Sequence, residues 1–106
     1  MPQKKSTKMK LELIGKPEGC KLLRMTLEVE PSLSTSSRII SLSIRGDFFA
    51  IPEEAFDEIQ DELRGITIGE FAECFDRLAQ EKALEFEGIS GEGLMELIQK
   101  ELNHDS

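Results

Sequence analysis

The spacing of apolar residues changes once along this chain, and the change dictates a fold of strands first and helices after. Leu23, Met25, Leu27 and Val29 recur at every second position, and Ile40, Leu42 and Ile44 repeat that pattern, as strands with one buried face do. From Ala55 onward the intervals become three and four: Ala55, Phe56, Ile59 and Leu63, then Phe71, Ala72, Phe75, Leu78 and Ala79, then Leu94, Leu97, Ile98 and Leu102. That is the stripe of an amphipathic helix. The changeover falls in residues 45–54, where Arg45, Gly46, Asp47, Phe48 and Phe49 run into Pro52, Glu53 and Glu54. Strand-to-helix connections are ordinarily polar because they lie in water. Here two consecutive phenylalanines stand beside a glycine and an aspartate, and such rings need something to pack against.

The remaining elements follow from local signals. Residues 8–14 alternate well enough for a first short strand. The strand opening at Lys21 sets Leu22, Arg24, Thr26, Glu28 and Glu30 on its second face. After a polar turn over residues 31–37, residues 38–45 form its hairpin partner, with Ile40, Leu42 and Ile44 expected inward and the other face of the hairpin, with Arg24, Thr26, Ser41, Ser43 and Arg45, meeting water or a partner. Pro52 suits the first turn of a helix, and Glu53 and Glu54 favour the positive end of its dipole. Gly65 supplies a left-handed stop. Thr67, Ile68, Gly69 and Glu70 read as a capping box, with Ile66 placed to staple against Phe71. Residues 85–89 read as a connector, and Ser90 caps a last helix.

Strands followed by helices predict an α+β fold in two layers, about three antiparallel strands followed by three helices on one sheet face. The 106 residues have room for one core, expected over residues 8–102 between a disordered basic arm at 1–7 and a frayed end at 103–106. No apolar run reaches the length of a membrane span and no signal-peptide core is present, so a cytoplasmic protein is expected. The formal charge is −8, but residues 1–24 hold seven Lys/Arg against two Glu. Lys4, Lys5, Lys8 and Lys10 have no aromatic residue among them, and the acidic remainder repels phosphate, which argues against nucleic acid.

Catalytic chemistry is hard to place. Cys20 and Cys74 are far apart with no Cys-x-x-Cys, and His104 is the only histidine, which argues against a metal site, a nucleophile–base pair or a disulfide. Gly88, Gly91 and Gly93 precede a helix without a Walker lysine or a dinucleotide-binding spacing. The many carboxylates fall on polar helix faces, where they keep ordinary acidity. For Gly46, Asp47, Phe48 and Phe49 two readings stand together. In one, the glycine permits a special backbone angle, Asp47 bonds nearby amides and both rings fill the core. In the other, a ring or the Asp47 carboxylate meets a partner.

Residues 19–25 (Gly-Cys-Lys-Leu-Leu-Arg-Met), 39–49 (ending Gly46-Asp47-Phe48-Phe49), 52–55 (Pro-Glu-Glu-Ala) and 63–65 (Leu-Arg-Gly) resemble the C-terminal, or accessory, domain of lipoate–protein ligases, over roughly residues 16–102. In that family a catalytic domain adenylates lipoate with ATP and Mg²⁺ and passes the lipoyl group to a lysine of a carrier protein such as a 2-oxoacid dehydrogenase subunit. The accessory domain supports the adenylation step, either fused to the catalytic domain or as a separate small subunit. The resemblance implies a separate, non-catalytic subunit that binds no cofactor alone, with Gly46, Asp47, Phe48, Phe49 and, more remotely, Lys21 shaping the interface with the catalytic subunit. It departs from the family at Cys20, where a glycine is common. A hairpin followed by helices also looks like the SufE-like and NifU-like iron–sulfur proteins, but these need cysteine at the junction that here holds Asp47, Phe48 and Phe49. A generic acidic interaction module is the third reading.

Overall fold

The computed structural model describes residues 8–31 and 34–104; the expected basic arm, residues 32 and 33 of the expected turn, and residues 105 and 106 lie outside the described residues. Three antiparallel strands, β1 (Met9–Gly15), β2 (Leu23–Val29) and β3 (Ile39–Gly46), form one sheet in the order β1-β2-β3. Leu11 and Leu13 of β1 and all four alternating residues of β2 are buried on one face, as the period of two requires.

β3 departs from the expected register. Ile40, expected inward, is 38% exposed, while Ile39 is buried. The pairing explains it: Val29 stands opposite Ile39 and Glu28 opposite Ser41, so Ile40 is the extra residue of a β-bulge. One inserted residue reverses the face on which the preceding part of the strand projects. Leu42 is half-buried and Ile44 is buried, in agreement with the alternation past the bulge.

α1 (Glu53–Glu62) follows with Pro52 at its N-cap, one position ahead of the place expected, and Ala55, Phe56, Ile59 and Leu63 carry its buried stripe. Gly65 turns the chain away at φ +94°. The capping box over Thr67–Glu70 is present, with Glu70 Oε1 accepting the Thr67 N–H at 3.3 Å. It opens a single 3₁₀ turn (Ile68–Glu70) that leads into α2 (Phe71–Glu81). Ile66 packs against the buried cluster that holds Phe71. Ser90 caps α3 (Gly91–His104), its Oγ accepting the Gly93 N–H at 2.9 Å.

The helices form the second layer of an α+β fold. α1 packs on β3, α3 on β1, and α2 against both helices. β1 and α3 meet so closely at Gly15 that an added Cβ would lie 2.6 Å from Leu97 Cδ2. The sequence reading lacks one feature, a second sheet of two strands, β4 (Phe49–Ile51) and β5 (Glu85–Glu87). β5 occupies what read as a connector. Phe86 at its centre stacks on Phe75 with ring centroids 6.0 Å apart, and Phe75 in turn lies 6.2 Å from Phe71, so the small sheet is fastened to the core by a row of rings.

Candidate functional site

The strand-to-helix junction forms one side of a surface groove of about 570 Å³ between the end of β3, β4 and the start of α1. Gly46 opens it. Its φ of +153° and the 2.2 Å that would separate an added Cβ from the Leu22 carbonyl oxygen together demand glycine. Asp47 then donates its backbone N–H to the same Leu22 oxygen at 3.0 Å, closing the end of the β2–β3 ladder. Its carboxylate is exposed and makes no hydrogen bond or ion pair among the described residues, so the expected side-chain bond to nearby amides is not formed.

The two phenylalanines diverge. Phe48 turns toward the helix layer and meets Phe56 of α1 with ring centroids 5.3 Å apart at 53°. Phe49, the first residue of β4, stays 49% exposed, and Ile51, two residues on, is 45% exposed. Residues two apart on a strand share a face, so these apolar side chains stand together at the groove. The structural reading of the motif holds for one ring only: Phe48 packs inside, and Phe49 stays exposed.

The frame under these side chains is tied down by strand pairing and hydrogen bonds. β4 is fixed to β5 by the pairs Phe49 with Glu87, Ala50 with Phe86 and Ile51 with Glu85. On the opposite wall, Gln60 of α1 spans two elements: its Oε1 accepts the Ile44 N–H of β3 at 3.0 Å, and its Nε2 donates to the Phe56 carbonyl at 3.3 Å. Glu53 and Asp57 add exposed carboxylates and Arg45 an exposed guanidinium. No histidine or cysteine lines the groove.

Lys21 lines no part of the groove, yet it lies close by. Its N–H donates to the Gly88 carbonyl at 2.8 Å, and Gly88 is wedged between the Lys21 side chain and Phe48, where a Cβ would stand 2.5 Å from Lys21 Cγ and 3.3 Å from Phe48 Cα. Cys20 is a buried free thiol 3.7 Å from Ser90 Oγ and packs at the start of α3; Cys74 is half-buried on α2. Among the described residues no group of three or more His, Cys, Asp or Glu side chains is placed to hold a metal ion. Among the described residues no helix is long and apolar enough to cross a membrane.

Sequence reasoning missed Ile51, Phe56 and Gln60 as groove residues. Phe56 reads as core, which it also is, and Gln60 carries no signal, because its role is set by a strand that pairing brings beside it.

No protein-family profile matches the chain, and no curated protein matches it in sequence. A solved structure of an archaeal lipoylation system from Thermoplasma acidophilum, described as a bi-partite lipoate protein ligase and its E2 lipoyl domain, contains a chain of similar fold. The TM-score is 0.68 at 24% sequence identity, and the match covers 86% of this chain and 96% of that chain. The likeness is one of fold.

Proposed function

We propose that this chain is a non-catalytic accessory subunit that docks on the catalytic subunit of a lipoate–protein ligase and supports ATP-dependent adenylation of lipoate, the first half of protein lipoylation. The observation that carries this reading is the exposure of Phe49 and Ile51 at a groove framed by paired strands. Apolar side chains held out by a fixed frame are what a partner surface buries at little entropic cost. The fold shared with a chain of a bi-partite ligase system favours that class of partner, as does the resemblance of residues 39–55 to the accessory domain.

Adenylation requires excluded water and positioned phosphates, and a docked subunit supplies both by ordering the loops of the catalytic one. ATP, Mg²⁺ and lipoate are assigned to the catalytic subunit, as the resemblance to the accessory domain implies. A lipoyl carrier domain enters as the acceptor in the second half-reaction. The iron–sulfur alternative is disfavoured, because Cys20 is buried against α3 and the junction offers no thiolate.

The test is an adenylation assay with a lipoate–protein ligase catalytic subunit, with and without this chain. Formation of lipoyl-adenylate only in the mixture supports the reading; equal formation without this chain overturns it.

A further inference from the structure

The three-stranded sheet has a second face, turned away from the helices, and it carries a pair of arginines in an unusual place. Arg24 of β2 and Arg45 of β3 stand directly opposite each other, and Ile14 of β1 stands opposite Arg24 on the other side, 60% exposed. Like charges in a directly opposed cross-strand pair repel and destabilise the sheet. No described residue relieves this: neither guanidinium has a hydrogen bond or ion pair among the described residues. The two carboxylates of the same face are engaged elsewhere, Glu12 with Lys10 at 3.9 Å and Glu28 with Lys8 at 3.3 Å and the Ser41 hydroxyl at 2.8 Å. The side-chain hydroxyls of Thr26 and Ser43, in the next row, also lack hydrogen-bond partners among the described residues. Glu12, Ile14, Arg24, Thr26, Ser43 and Arg45 line a shallow depression of about 390 Å³.

From this we infer that the open sheet face docks an acidic segment of a partner protein, with paired carboxylates on Arg24 and Arg45 and an apolar residue on Ile14. The occupant follows from complementarity. Guanidinium groups present planar forks that match carboxylates two bonds at a time, the neighbouring hydroxyls add donors, and the exposed isoleucine calls for an apolar contact that a small anion does not make. Nucleic acid is disfavoured because no aromatic side chain lines the depression to stack on a base. The inference is independent of the ligase reading, although Ser43 and Arg45 border both the groove and this depression and make the two surfaces continuous.

The test is an NMR titration of the protein with an acetylated Glu-Glu-Leu-Glu-Glu peptide at low salt, following the Nε–Hε signals of Arg24 and Arg45 and the methyl signals of Ile14. The three sites are expected to shift together, the Gln-Gln-Leu-Gln-Gln peptide to leave them unmoved, and the Arg24→Gln/Arg45→Gln variant to bind about tenfold more weakly, while Glu73→Gln on α2 binds as the parent does. Circular dichroism confirms that the variants are folded. Absence of shifts at these three sites overturns the inference, as does equal weakening by Glu73→Gln. Tighter binding of inorganic phosphate or of a short DNA duplex at the same sites also overturns it, and assigns the face to phosphate instead.

Discussion

A methyl group built on Gly46 would lie 2.2 Å from the carbonyl oxygen of Leu22, well inside any permitted contact. The same residue holds φ at +153°, which side chains rarely adopt. Gly46→Ala is therefore expected to cost about 2–4 kcal/mol, from backbone strain and overlap together. Gly65, at φ +94° but with open space where a Cβ would go, is expected to lose only about 1 kcal/mol on the same change. Urea unfolding at constant slope measures both, and equal losses at the two glycines would contradict the steric account.

The divergence of the two rings makes stability and docking separable. Phe56→Ala removes a buried ring from the contact with Phe48 and is expected to destabilise the fold by about 3–5 kcal/mol. Phe49→Ala removes an exposed ring and is expected to change stability by no more than about 0.5 kcal/mol. Its cost falls on the partner: a loss of about 2 kcal/mol at a hot spot weakens binding of the catalytic subunit about 30-fold. Calorimetric titration against that subunit decides it. Unchanged affinity in Phe49→Ala would remove the groove from the interface.

Glu28 couples the open sheet face to pH. The Ser41 hydroxyl, and then Lys8, hold its carboxyl below the ordinary value of 4.5. A carboxyl with a depressed folded pKa contributes stability that is complete above its unfolded pKa and is lost as pH falls through the folded one. The melting temperature of Ser41→Ala is thus expected to fall less than that of the parent on acidification below that ordinary value. In the same variant, NMR titration should show Glu28 moving back up toward its ordinary range, and an unmoved titration would mean that the hydroxyl has no part in it.

Repulsion between Arg24 and Arg45 predicts a substitution that strengthens the isolated fold. Arg45→Glu replaces a like-charge cross-strand pair by an opposite one and is expected to stabilise by about 0.5–1 kcal/mol, seen as a raised thermal midpoint that shrinks with added salt. The same variant should lose the acidic peptide altogether.

The parts of the fold that local spacing controls were legible in the residues. β2 alternates without a break, α1 and α2 carry their stripes, and the capping box at Thr67 marks its turn. What pairing controls was hidden. The bulge that sends Ile40 outward depends on the register between β2 and β3, and β4 and β5, three residues each, are too short to show a period. The apolar junction was visible as a candidate site, yet which of its two rings would turn inward depends on where α1 places Phe56. Arg24 and Arg45 read as residues of one polar hairpin face, and only the ladder sets them directly opposite each other.

Gln60 has one more consequence. β3 is the last strand of its sheet, and a strand in that position offers free amides to any second molecule that lies alongside. By taking the Ile44 N–H with its own side-chain oxygen, the glutamine withdraws one of those amides beside the groove, so a second strand laid along β3 there would have to displace it.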